Sequence, residues 1–144
     1  MVLIHTEIEI EAPPAKFLDF PRLSEWHSGH FKELVISSQD GSIKPGDTVK
    51  VALEGQTFNG SILENTPEQL MWRGSLPLVF TGDHFFRFEP SETKPGGTRF
   101  VQGEEFSGLL SFMMGNVGGY GFGPKTKGGF EKLNADLKKR CEEK

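Results

Sequence analysis

The chain has 144 residues, with 16 basic and 20 acidic side chains, a formal net charge of -4 and 35% apolar composition. That length suits one domain, expected to span residues 1–144, and the composition excludes a disordered or membrane-embedded chain. The negative balance argues against work on phosphate backbones or anionic lipid, so no nucleic acid and no integral membrane association are expected.

Cys141, the one cysteine, cannot make an intramolecular disulfide, and the first residues read as a strand with no charged-then-apolar leader. A reduced, cytoplasmic protein is the expectation. The aromatic set is lopsided, with 13 Phe against 2 Trp and 1 Tyr. Phenylalanine adds bulk without a polar handle, which suits a dense core or an apolar pocket.

From Val2 to Glu11, Val2, Ile4, Ile8 and Ile10 alternate with His5, Glu7, Glu9 and Glu11, the pattern of a half-buried strand. Ala12-Pro13-Pro14 ends it, since proline cannot donate to a ladder but suits a first helical turn. A helix from Ala15 has room for about two turns before Pro21, and Leu23-Ser24-Glu25-Trp26 allows a second short one. Strands are then expected over Phe31–Ser38, Thr48–Leu53, Thr57–Asn65, Gln69–Gly74, Phe80–Glu89 and Thr98–Phe106. Polar and glycine-containing turns separate them, among them Pro45-Gly46-Asp47, Pro67-Glu68 and the loop from Ser91 to Gly97. About seven strands with short connections imply one antiparallel sheet.

The stretch from Gly115 to Pro124 is too rich in glycine to favour a helix. From Thr126 the pattern turns helical, with Phe130, Leu133, Leu137 and Cys141 on one stripe and Lys138, Lys139 and Arg140 near the C-terminal end. Asn134 falls on the same apolar stripe.

One strand, two short helices, six strands and a long last helix is the element order of the helix-grip fold. Specific stretches carry a likeness beyond that order: Glu9-Ile10-Glu11-Ala12-Pro13-Pro14, Asp19-Phe20 with Trp26, and Leu70-Met71-Trp72-Arg73-Gly74. Further along come Gly82-Asp83-His84-Phe85-Phe86, Gly97-Thr98-Arg99-Phe100, Glu104-Glu105-Phe106-Ser107-Gly108-Leu109-Leu110 and Gly129-Phe130-Glu131-Lys132-Leu133-Asn134. On these stretches the chain resembles the SRPBCC superfamily (START, Bet v 1 and polyketide cyclase relatives), and within it small polyketide cyclase/dehydrase-like proteins. The resemblance implies an α+β domain whose curved antiparallel sheet of about seven strands wraps the C-terminal helix. Two departures stand out: only Ala15 to Leu18 separate Pro14 from Asp19, and the glycines from Gly115 to Gly123 interrupt the approach to the last helix. The short first helix is expected to leave apolar surface bare near Phe17, Leu18, Phe20 and Trp26.

If the Phe80 and Phe100 strands pair about their loop, residues whose numbers sum to roughly 188 face one another. His84 then meets Glu104, Phe86 meets Gln102, and Phe88 meets Phe100, on the face toward the last helix. With Asn134 looking back from that helix, His84, Gln102, Glu104 and Asn134 form a small polar cluster. Around it, alternation assigns Val51, Phe58, Ile62, Leu70 and Trp72 to the interior, with Phe86, Phe100, Phe106, Phe130 and Leu133. Such a set reads as convergent polar groups in an apolar ligand site, with His84 and Glu104 as candidate catalytic acid and base. The plainer alternative is a bonded buried pair that fixes strand register.

His27 and His30 lack the further ligands a metal needs and read as a solvated loop lip, so no metal is expected. The glycine string near Tyr120 lacks the spacing and the βαβ setting of a phosphate loop, and no cofactor is expected. Three functions remain open: carriage of a small hydrophobic or aromatic ligand, a cyclase or dehydratase-like enzyme using His84 and Glu104, and a protein-interaction module or homodimer.

Overall fold

Seven stretches of alternating apolar and polar residues form the strands β1 (Val2–Ile10), β2 (Phe31–Ser37), β3 (Thr48–Leu53), β4 (Gln56–Asn65), β5 (Gln69–Leu76), β6 (Phe80–Pro90) and β7 (Thr98–Ser107). The computed structural model describes residues 2–13, 23–29, 31–37, 43–53, 56–76, 80–108 and 122–143. Two helices are described, the four-residue α1 (Leu23–Trp26) and the 21-residue α2 (Phe122–Glu142). The helix expected from Ala15, with Phe17, Leu18 and Phe20, lies outside the described residues, as do His30 and residues 115–121 of the glycine-rich stretch.

The strands form one sheet in the order β1-β7-β6-β5-β4-β3-β2, and every neighbouring pair is antiparallel. From β2 to β7 the chain meanders, each strand pairing with the next, while β1 joins beside β7. Register shifts at Phe31/Glu33 and Ile62/Glu64 add local twist to a sheet that curls into a half-barrel. The turns fall where the sequence places them. In the β3 approach, Asp47 N–H donates to the Lys44 carbonyl while Gly46 takes a φ of 95°, a left-handed conformation that glycine adopts without strain. Before β7, Gly97 N–H closes onto the Lys94 carbonyl at 2.8 Å.

One correction concerns α2. The sequence pattern puts its start at Thr126, whereas the helix begins at Phe122 and takes in Gly123 and Pro124. The first turn has no intrahelical acceptors for its N–H groups, so a proline there loses no hydrogen bond and its fixed φ is already helical. Beyond it the stripe of Phe130, Leu133, Asn134, Leu137 and Cys141 is buried. This stripe faces the sheet, where α2 packs mainly across β1 and β7. Leu23 and Ala12 join the same apolar cluster from the β1–β2 connection.

Candidate functional site

The register of β6 against β7 brings His84 opposite Glu104, Phe86 opposite Gln102 and Phe88 opposite Phe100. On the other side of β7, Thr6 lies opposite Gln102 and Ile4 opposite Glu104. Side chains two residues apart share a strand face, so Gln102 and Glu104 point the same way as His84 and Thr6. Asn134 reaches the group from α2. The result is a continuous hydrogen-bonded line across three strands and a helix.

Each bond in that line has a defined direction. The Thr6 hydroxyl donates to the Gln102 backbone carbonyl at 2.7 Å, so its oxygen accepts from Asn134 Nδ2 at 2.8 Å. Asn134 Oδ1 accepts from Gln102 Nε2 at 2.7 Å, and the same nitrogen donates to the Phe130 carbonyl at 3.2 Å. Gln102 Oε1 therefore faces His84 Nε2, 2.9 Å away. At the far end His84 Nδ1 meets Glu104 Oε1, also at 2.9 Å. Gln102 is fully buried and His84 nearly so, while the Glu104 side chain keeps 18% of its surface exposed. No buried side-chain polar atom among the described residues lacks a partner.

Aromatic rings enclose the imidazole. Trp72 stacks on His84 with ring centroids 4.4 Å apart and planes 16° from parallel. Phe130, Phe86 and Phe31 stand nearly perpendicular to it, with ring centroids 4.7, 5.1 and 5.6 Å away. Phe100 stacks in turn on Phe86. Gly82 supplies the room for Glu104: a methyl group there would overlap Glu104 Oε2 and press on the Phe106 ring. On the next strand the Phe58 ring lies over Gly74, 2.6 Å from where a methyl carbon would stand.

The whole architecture recurs in solved structures. The di-domain ARO/CYC BexL from the BE-7585A biosynthetic pathway matches with a TM-score of 0.69 at 12% identity, over 99% of this chain and 50% of that one. This chain thus spans half the length of that protein. Truncated norcoclaurine synthase from Thalictrum flavum also gives 0.69, at 14% identity over 99% and 94% of the two chains. A START superfamily protein from Mycobacterium smegmatis gives 0.68, at 16% identity over 97% of both. The fold is the helix-grip fold that these structures share. No protein-family profile matches the sequence, and no curated protein matches it.

In this helix-grip fold, the residues expected around the polar cluster fall together. Val51, Ile62, Leu70, Trp72, Phe86, Phe100, Phe106, Phe130 and Leu133 belong to one buried cluster, and Phe58 packs against it partly exposed. Thr6 belongs to the polar line but is absent from the sequence expectation. Its signal was its place between Ile4 and Ile8 on the inner face of β1, where alternation points a side chain inward whatever its polarity.

His27 requires a correction. It is not on a solvated lip: its side chain is fully buried, and Nδ1 lies 2.8 Å from Asp136 Oδ2 on α2. Nε2 accepts the Phe31 backbone N–H at 3.4 Å, so the ring is a neutral Nδ1–H tautomer that donates to Asp136. Burial pushes the His27 imidazole below its ordinary value, against the opposing pull of Asp136. Burial alone would raise Asp136, but hydrogen bonds from Lys132 and His27 outweigh it and hold that carboxyl below the usual carboxylate range. A contact between residues 27 and 136 leaves no local trace in the sequence.

Proposed function

We propose that the chain binds and carries a small hydrophobic or aromatic molecule held between the concave face of the sheet and α2. The observation that carries this reading is the pairing of an aromatic inner face with a hydrogen-bonded polar line that ends at a partly exposed carboxylate, Glu104. Ligand sites of this kind are mostly apolar, with a few placed polar groups that fix orientation. That a START superfamily protein and a norcoclaurine synthase share the fold fits this reading. A single cysteine, buried in the apolar cluster, fits a reducing, cytoplasmic setting. No described helix is long and apolar enough to cross a membrane.

The test is native mass spectrometry of the protein as purified, followed by fluorescence titration with a hydrophobic dye. A Leu133→Trp variant should weaken dye binding by filling the space between helix and sheet. Equal binding by both proteins, or none by the wild type, would overturn the reading.

A second reading, cyclase or dehydratase-like catalysis, is favoured by the 2.9 Å contact between an imidazole and a partly exposed carboxylate and by the fold shared with an ARO/CYC protein. Conversion of a polyketide-like substrate that vanishes in both His84→Phe and Glu104→Gln would establish it. A homodimer is the remaining alternative, and sedimentation at several concentrations reads it directly.

A further inference from the structure

The bond directions in the polar line determine how many protons it holds. Two backbone carbonyls, of Gln102 and Phe130, can only accept, and they pin the Thr6 hydroxyl and the Gln102 amide respectively. With Gln102 Nε2 committed to Phe130 and Asn134, Gln102 Oε1 is left as an acceptor toward His84. His84 Nε2 therefore carries a hydrogen. A neutral imidazole with that hydrogen has only a lone pair at Nδ1, and an ionised Glu104 has only lone pairs at Oε1. Two lone pairs facing at 2.9 Å repel, so the contact requires one more proton between them. Whether it is drawn on nitrogen or oxygen, the pair as a whole is neutral, which removes the penalty of an unpaired charge beside Trp72 and Phe130.

The remaining oxygen decides what can bind. Glu104 Oε2 lies over the bare backbone of Gly82, carries no hydrogen bond from the described residues and retains access to solvent. With the shared proton held at Oε1, Oε2 offers lone pairs only.

We propose that the His84–Glu104 pair holds one shared proton and presents Glu104 Oε2 as an acceptor, so that the bound molecule is an apolar or aromatic compound carrying a hydrogen-bond donor such as a phenolic or alcoholic hydroxyl. This rests on the carrier reading above and narrows its ligand class. A ligand whose polar end is acceptor-only, a carboxylate above all, meets lone pairs with lone pairs and is rejected.

The experiment is fluorescence titration of the full chain with three probes of one ring system: 2-naphthol, 2-methoxynaphthalene and 2-naphthoate. The hydroxyl compound should bind the wild type up to about tenfold more tightly than its methyl ether, the difference one hydrogen bond makes. Naphthoate should bind weakest. In Glu104→Met the advantage of naphthol over the ether should disappear while the ether keeps its affinity. Glu104→Gln should keep part of the advantage, because its amide can donate to Nδ1 and turn its oxygen into the place of Oε2. Binding of all three probes with equal affinity would overturn the proposal and leave the carrier reading standing. Tighter binding of naphthoate than naphthol would overturn it too. No binding of any probe would overturn the carrier reading, and this inference with it.

Discussion

Two buried histidines in this protein have nearly the same neighbour on Nδ1 and opposite neighbours on Nε2. His84 places Nδ1 2.9 Å from Glu104, and His27 places Nδ1 2.8 Å from Asp136. Beyond the ring, His84 meets the amide oxygen of Gln102, whereas His27 meets the backbone N–H of Phe31. An acceptor there demands a hydrogen on Nε2, and a donor forbids one. His27 is thus complete as a neutral ring against an ionised carboxylate, while His84 needs a proton shared with its partner. The lesson is that a carboxylate beside a histidine does not set the ring's state; the group on the other nitrogen does. His27 reads as a structural clamp between the β1–β2 connection and α2, and His84 as the polar end of the proposed ligand site.

The largest expected effect comes from removing the hub that makes the two sites differ. Gln102→Leu leaves His84 Nε2–H and Asn134 Oδ1 without partners, at roughly 1 to 3 kcal/mol for each orphaned group. Chemical denaturation should show a loss of about 2 to 6 kcal/mol.

Glu104→Met orphans a single nitrogen and should lower stability by about 1 to 3 kcal/mol. In the His84→Phe/Glu104→Met double variant the stranded Nδ1 is gone and Gln102 Oε1 is left without its donor, so the loss should fall short of the sum of the His84→Phe and Glu104→Met losses. A double variant whose loss equals the sum of the two single losses would show that the pair is not coupled in this way.

At the other histidine the effect is smaller and depends on pH. The folded state holds His27 below its ordinary value of 6.5, so the unfolded chain takes up that proton first. The stability it contributes is fully present above 6.5 and drains away as the pH falls toward the folded value. Asp136, held below 3.8, adds a further loss in the same direction once the pH drops beneath that value. His27→Phe should remove the first decline and, near neutrality, lower stability by about 1 kcal/mol for the lost hydrogen bond to Asp136. Thermal unfolding of both proteins from about pH 8 to 5 reads the slope, and an unchanged slope in the variant would assign it elsewhere.

The smallest effect belongs to a surface pair. Arg73 and Asp83 form a two-pronged ion pair at 2.7 and 2.9 Å on the outer face of β5 and β6. With Arg73 half exposed, Arg73→Ala should change stability by about 0.2 to 1 kcal/mol, and less at high salt.

The sheet and the His84 end of the site were legible because both follow from the two-residue period of a strand. Once the Ser91–Gly97 loop is recognised, the β6–β7 register follows by counting, and it places His84 against Glu104 and Phe86 against Gln102. Thr6 was equally within reach of the period and hidden only by its polarity. The start of α2 was masked by competing local signals, because glycine lowers helix propensity while a proline in the first turn favours a start. The His27–Asp136 clamp had no signal at all: residues 109 apart meet only after the sheet has curled and α2 has docked.

The most direct test of the contrast is long-range proton–nitrogen correlation spectroscopy of the histidine rings near neutral pH, assigned with His27→Phe and His84→Phe. His27 should appear as a neutral ring with its hydrogen on Nδ1. His84 should show a hydrogen on Nε2 and an Nδ1 engaged with the proton it shares with Glu104. A His84 ring with hydrogen on Nδ1 and a bare Nε2 would contradict the account, because Gln102 would then have no donor to accept and the polar line would have to run the other way.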